Sequence, residues 1–208
     1  MGMLKALFGP SRNEIWTQIA DSIGGEFIDG GFWSDDALVY RHGEWEVVLD
    51  TYTTHTRTGN TSTTHTYTRM RAPFVNRDGL QFSIYRAGLF TSLGKLLGMQ
   101  DIEIGDSFFD DAFVIKGNDE HKIRQFLQDS RLRQLIQAQP DIQFEIQDDE
   151  GFFTKSFPDG VDELYFSCYG VMTDTYRLRN LFELFATALE RLVAVDSAYE
   201  DAPQVSLR

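Results

Sequence analysis

Residues 45–74 read WEVVLDTYTTHTRTGNTSTTHTYTRMRAPF. The first nine, Trp45–Thr53, are dense in β-branched and aromatic residues, which suit a strand. The chain then turns at Gly59-Asn60 and returns through Thr61–Phe74 with the same character. Two long strands joined by a tight turn are antiparallel, so this stretch sets the fold as a sheet of hairpins rather than a βαβ series. Ten of the eighteen residues from Thr51 to Thr68 are Thr, with one His in each half.

A two-residue loop fixes the register. It pairs Thr58 with Thr61, Tyr52 with Tyr67 and Asp50 with Arg69, and the last two are favourable cross-strand pairs. His55 then faces Thr64 and His65 faces Thr54, on opposite faces of the ribbon, because successive side chains alternate. A three-residue loop would set His55 across from His65 on one face, and only that register permits a shared metal. Two His still fall short of a usual zinc ligand set. The Thr spacing resembles some ice-binding faces, but those are broad arrays and this is one ribbon broken by Tyr and His. A ribbon polar on both faces projects from the body. Its edges can pair with another chain, which makes Tyr52, Thr54, Thr56, Thr64, Thr66 and Tyr67 the candidate interaction residues.

Working outward, Ser11-Arg12-Asn13-Glu14 has the form of a capping box. Ile15, Trp16, Ile19 and Ile23 follow on one face, and Gly24-Gly25 supplies a stop. Ala37–Arg41 reads as a strand before a turn at His42-Gly43-Glu44. Asn76–Gly79 is another turn, followed by a strand over Leu80–Arg86. GLFTSLGKLLG predicts a short helix over Leu89–Leu97. DIEIG and Ala112–Lys116 read as strands, and Asn118 is placed to cap a helix through Leu127. A further helix spans Ser130–Ala138 and stops before Pro140. DIQFEIQ alternates cleanly; Phe152–Phe157 and Glu163–Tyr169 follow as strands. The last helix, capped by Asp174 or Thr173, carries a stripe of Leu178, Phe182, Phe185, Leu189 and Leu192. The expected fold class is α+β: a mainly antiparallel sheet of about eight strands, helices packed on one face, and a projecting Thr-rich hairpin. Residues 1–196 read as a single domain and 197–208 as a polar, frayed tail.

The chain has 208 residues, 42% hydrophobic and 25% charged, with 17 Phe and 8 Tyr. That is enough to bury an aromatic core without staples. The formal net charge is −13, which repels phosphate backbones and anionic membranes and argues against both as partners. Cys168 is the sole cysteine. In LYFSCYG it reads as a buried, inert thiol, since reactive thiolates need an electropositive setting. No apolar run reaches the ~20 residues of a membrane span. MGMLKALFGPSR has too short an apolar stretch for a signal peptide, and Ala6 occupies the position where myristoylation needs Ser or Thr. These features point to the cytoplasm.

The other concentration of polar chemistry is DIEIGDSFFDD, with Glu103, Asp106, Asp110 and Asp111. Hard cations want clustered oxygens. The spacing is not that of an EF-hand, however, and Phe108, Phe109 and Phe113 interleave with the acids. Asp106 and Asp110 therefore read first as capping or solvated carboxylates around an aromatic anchor. They join His55 and His65 as the weak metal candidates.

The segment 102–127, with Asp106, Phe109, Asp110, Phe113, Ile115, Asp119 and Leu127 in a D-x-x-F-D-x-x-F-x-V/I pattern, resembles a bacterial family of domains of unknown function. Some members carry membrane spans, which this chain lacks. The resemblance covers about a quarter of the chain with the DIQFEIQ strand included. It implies a fold unit and lends no catalytic residues.

The chain lacks G-x-S-x-G, Walker A, G-x-G-x-x-G, H-E-x-x-H and C-x-x-C patterns, which lowers the expectation of catalysis. Three functional readings follow. The first is a non-enzymatic binding or scaffolding domain without cofactor, self-associating or joining a protein partner through the 51–68 hairpin. The second is a metal-dependent hydrolase using His55, His65 and a carboxylate. The third is a small-molecule or lipid binder with a cavity between the sheet and the C-terminal helix.

Overall fold

The pairing dictated by residues 45–74 runs through the whole molecule. The computed structural model describes residues 9–31, 35–59, 61–88, 99–148 and 157–207. The helix expected over Leu89–Leu97 lies outside them, as does all but Phe157 of the strand expected over Phe152–Phe157. So does Asn60 of the hairpin turn.

Nine strands form one open antiparallel sheet among the described residues. They are β1 (Glu26–Ile28), β2 (Ala37–His42), β3 (Trp45–Thr58), β4 (Thr61–Val75), β5 (Phe82–Arg86), β6 (Gln100–Asp101), β7 (Phe113–Gly117), β8 (Gln143–Gln147) and β9 (Val161–Tyr169). Their spatial order is β1-β2-β3-β4-β9-β8-β5-β7-β6. The meander read from the sequence thus holds for β1–β4 and then breaks. β9 and β8 enter between β4 and β5, so the turn at Asn76–Gly79 feeds a crossing rather than a tight hairpin. Asn76 organises that turn: its side-chain oxygen accepts from the Gly79 amide at 3.0 Å, and its amide group donates to the Leu80 carbonyl at 3.1 Å.

Alternation sorts the strand side chains onto two unlike faces. One row crosses seven strands in register: Leu38, Leu49, Met70, Phe166, Phe144, Ile84 and Ile115. All seven are buried in a single cluster. Five helices share that cluster: α1 (Arg12–Ile23), α2 (Ser107–Ala112), α3 (Glu120–Phe126), α4 (Ser130–Gln137) and α5 (Thr175–Ala194). The α+β architecture with helices on one face is therefore the observed one. The α5 stripe closes it, with the Phe185 ring 5.8 Å from that of Phe144. At roughly 1.5–3 kcal/mol for each fully buried large apolar side chain, this face supplies most of the driving force.

Local chemistry explains the helix ends. Ser11 and Glu14 complete the capping box of α1, and Gly24 takes a left-handed φ of 73° at its close. Asp119 rather than Asn118 caps α3, accepting from the Lys122 amide. Asn118 is engaged elsewhere, bridging the Gln81 amide and the Gly79 carbonyl. Of the DIEIG run, Asp101 alone, with Gln100, is strand; the Ile104 and Gly105 amides turn away to donate to the Asp110 carboxylate at 3.0 Å each. The tail, expected to fray from Ser197, begins tied down. Ser197 and Ala198 are buried, Ala198 bridges to Asn76, and the Tyr199 amide donates to the Val75 carbonyl at 3.1 Å.

Candidate functional site

The hairpin β3–β4 leaves the sheet at a clamped base. The Thr68 hydroxyl donates to the Gly170 carbonyl and accepts from the Met172 amide, both at 2.8 Å. The Gly170 amide donates to the Thr66 carbonyl at 2.8 Å. Gly170 reaches this position with a φ of 85°, which suits a residue without a Cβ. The Trp16 indole donates to the Met172 carbonyl at 2.9 Å, anchoring the clamp to α1.

Beyond the clamp the ribbon stands alone. β2 pairs with β3 only as far as Leu38↔Leu49, and β9 pairs with β4 only as far as Thr68↔Cys168. Among the described residues, no strand lies beside the outer edge of β3 from Asp50 to Thr58, or beside that of β4 from Thr61 to His65. From Thr53 to Thr58 the free ribbon extends roughly 17 Å. The observed register is Thr58↔Thr61, Tyr52↔Tyr67, Asp50↔Arg69, His55↔Thr64 and Thr54↔His65, as the two-residue loop requires. The His55 ring meets the Thr64 hydroxyl at 3.0 Å, and the Tyr52 and Tyr67 rings stack at 5.1 Å.

The two histidines consequently lie on opposite faces. His55 is on the helix side of the ribbon, while His65 turns to the side that carries no helix among the described residues (the helix-free side), 5.9 Å from the Tyr169 ring. Asp106 caps α2 and pairs with Arg133 at 3.3 Å, and Asp110 holds the Ile104–Gly105 turn. These carboxylates belong to the opposite end of the sheet, beside β6 and β7. The structure does not bring the four metal candidates together, and no group of three or more potential ligands occurs among the described residues. The candidate interaction residues divide likewise: Tyr52, Thr54, Thr56 and Tyr67 on the helix-free side, Thr64 and Thr66 on the other.

Sequence reasoning missed how the helix-free face continues from the ribbon into the body. Tyr52, Tyr67 and Tyr169 form a row, Tyr169 meeting Tyr67 edge-on at 5.7 Å and standing 67% exposed. Below it Asp50 accepts from Arg69 Nε at 2.8 Å, Arg69 Nη2 at 2.9 Å and Arg71 Nη2 at 2.9 Å. The Arg69 guanidinium also lies 5.3 Å over the Tyr52 ring. Asp50, Arg71, Glu163, Ser167 and Ser83 are all buried. Burial alone would lower the Arg69 pKa; the hydrogen bond and charge of Asp50 reverse this and raise it. Burial pushes the Tyr165 phenol well above its usual range, reinforced by Tyr52, so it stays protonated and cannot act as a base near neutrality. On the helix side, burial pushes the Cys168 thiol up to about 11, which keeps it from being a nucleophile. These groups hold a shape; they do not assemble an activated nucleophile. The signal available in the sequence was the charge at alternate positions of β3, β4 and β9.

A separate open cleft of about 410 Å³ lies between α1, β2 and α5, lined by Ser22, Ile23, Tyr40, Arg179, Phe182 and Glu183. No helix of the described residues is long and apolar enough to cross a membrane.

No protein-family model matches the chain, and no curated protein matches it. Among solved structures it is similar to the mycobacterial trehalose monomycolate transport factor A, TtfA. The identity is 8%, over 87% of this chain and 94% of that one, with a TM-score of 0.49. A likeness of that degree carries nothing about function.

Proposed function

We propose that the chain is a protein-interaction domain that self-associates by strand pairing along the free edges of β3–β4. One observation carries the reading: a long ribbon in full register, with both outer edges open among the described residues and its base held by the Thr68–Gly170–Met172 clamp. An isolated two-stranded ribbon is marginally stable in water, and an open edge is a template for a further strand. Charge favours a second copy at this place. The chain carries −13 overall, yet residues 51–68 hold Arg57 and no carboxylate. Contact through the ribbons therefore keeps two acidic bodies apart while neutral, Thr-rich edges meet. The Tyr52–Tyr67–Tyr169 row adds aromatic area where a second ribbon would lie against the body. The resemblance of residues 102–127 contributes a fold unit to this reading and no reaction. The single buried thiol fits a reducing, cytoplasmic setting.

Cross-linking tests it. Cys168 is buried, so a Thr54→Cys variant presents one reactive thiol. A short bismaleimide should convert it to a covalent dimer, while Gln128→Cys, on an exposed turn between α3 and α4, should remain monomeric. Equal dimer yields, or none from Thr54→Cys, would overturn the proposal.

A second reading has its own observation, the cleft beside α5. Its volume lies in the range of small-ligand sites, and Phe182, Ile23 and Tyr40 give it an apolar wall suited to a small molecule or lipid chain. Native mass spectrometry of the purified chain, finding a bound molecule that is lost in Phe182→Asp, would support it; a bare mass would count against it.

A further inference from the structure

The C-terminal segment is more than an end. Arg77 grips its start: the Arg77 amide donates to the Ser197 carbonyl at 3.0 Å, its guanidinium pairs with Asp196 at 2.9 Å, and it lies 5.4 Å over the Tyr199 ring. From there the chain runs back over the helix-free face. Pro203, Val205 and Leu207 are half-buried while Ala202, Gln204 and Ser206 are exposed, so alternate side chains point inward. Leu207 packs on a small apolar cluster of Ala37, Val39 and Val48, with Ile28 of β1 beside it. This cluster is separate from the main core. It adjoins the charged group, since Val48 pairs with Arg71 across the sheet. Between Glu200 and Val205 no backbone hydrogen bond ties the segment to another described residue. At its end Leu207 meets the sheet by apolar side-chain contact.

We infer that the helix-free face of β1–β3 is a groove for an extended peptide with apolar side chains at alternate positions, and that residues 203–207 fill it as a tethered ligand. Alternate half-buried apolar positions that end with Leu207 on a patch of Ala37, Val39 and Val48 form a side-chain readout, as in other extended-peptide grooves. Tethering through the Ser197–Tyr199 anchor gives the segment a local concentration in the millimolar range. A partner with the same P-x-V-x-L character must compete with it. Displacement uncovers Ala37, Val39 and Val48 without disturbing the main core. The inference does not depend on ribbon pairing, since the groove lies on β1, β2 and the base of β3 at Val48, short of the free ribbon edge that begins at Asp50.

The test is peptide capture. A chain ending at Tyr199 keeps the anchor and loses the ligand. A fluorescein-labelled peptide of residues 199–208 should bind it saturably in an anisotropy titration. It should bind the intact chain about tenfold more weakly, because the tether competes. The same peptide carrying Val205→Asp and Leu207→Asp should not bind, nor should the truncated chain carrying Val39→Asp. Intact-length Leu207→Asp provides a second open groove if the truncated chain fails to fold, and it too should capture the peptide. Absence of binding to whichever of these chains retains its circular dichroism, or equal binding to the intact chain, would overturn the inference.

Discussion

Replacing Asp50 with Ala separates burial from geometry as the source of an ion pair's value. Asp50 accepts three charged hydrogen bonds, at 2.8, 2.9 and 2.9 Å, from Arg69 and Arg71. The Arg71 side chain is 4% exposed and that of Asp50 11%. Breaking a pair this deep takes a hydrogen-bonded counter-charge from guanidinium groups held away from water, which costs about 3–5 kcal/mol. The comparison is Glu183→Ala. Glu183 receives an equally bidentate Arg131, at 2.6 and 2.7 Å, but the two side chains are 46% and 51% exposed. Water replaces that partner, so the loss should stay under about 1 kcal/mol. In urea unfolding Asp50→Ala should lower stability by the larger figure. In thermal melts it should lower Tm by about 6–20 °C, at 2–4 °C per kcal/mol for a chain of this size. Asp50→Asn keeps one acceptor and should fall between. If Asp50→Ala and Glu183→Ala shift stability alike, the charged group does not anchor the ribbon's base and the reasoning fails.

Other outcomes follow from single residues. Native chain should not react with a thiol-directed disulfide reagent at pH 8 but should react fully in denaturant, because burial pushes Cys168 up to about 11. The unfolded thiol releases its proton nearer 9.0, so above that pH the unfolded state binds fewer protons and stability falls as pH rises towards 11; Cys168→Ala should show a shallower fall in urea midpoint. Gly25→Ala should cost about 1–3 kcal/mol, since a Cβ there would stand 2.6 Å from the Val39 carbonyl oxygen, a backbone atom that cannot swing aside; thermal melts read this directly. Zinc at a small molar excess should leave Tm within about 1 °C, because ligand binding stabilises only through an assembled site and His55 and His65 lie on opposite faces; a clear rise, abolished by His65→Ala, would contradict the register.

Where one physical rule dominates, the sequence sufficed. The register of β3–β4 followed from a two-residue loop and two cross-strand pairs, and it placed both histidines correctly. The helix-side face was readable because strand alternation and the α5 stripe are simple periods. What escaped was non-local. Nothing near Asn76 announces that β9 and β8 will enter between β4 and β5, since their match to that gap lies in a core row assembled from distant strands. The charged group was only partly legible for the same reason: Asp50 and Arg69 read as a pair, and charges recur at alternate strand positions, but Arg71, Glu163 and Tyr165 come together only when β9 docks on β4. The tail read as frayed because its composition is polar, while the groups that tie its start down, Val75, Asn76 and Arg77, lie more than a hundred residues away in the chain.

The claim that most needs testing is that the ribbon's open edges join two copies. Sedimentation velocity over a wide concentration range, on the intact chain and on one with residues 54–65 replaced by Asn-Gly, addresses it directly. The replacement closes the hairpin on the Thr53–Thr66 pair with a favoured two-residue turn and leaves the Thr68 clamp whole. The intact chain should shift towards dimer with concentration, and the shortened chain should remain monomeric with an unchanged Tm. A monomer throughout for the intact chain, or a dimer that survives the shortening, would contradict it.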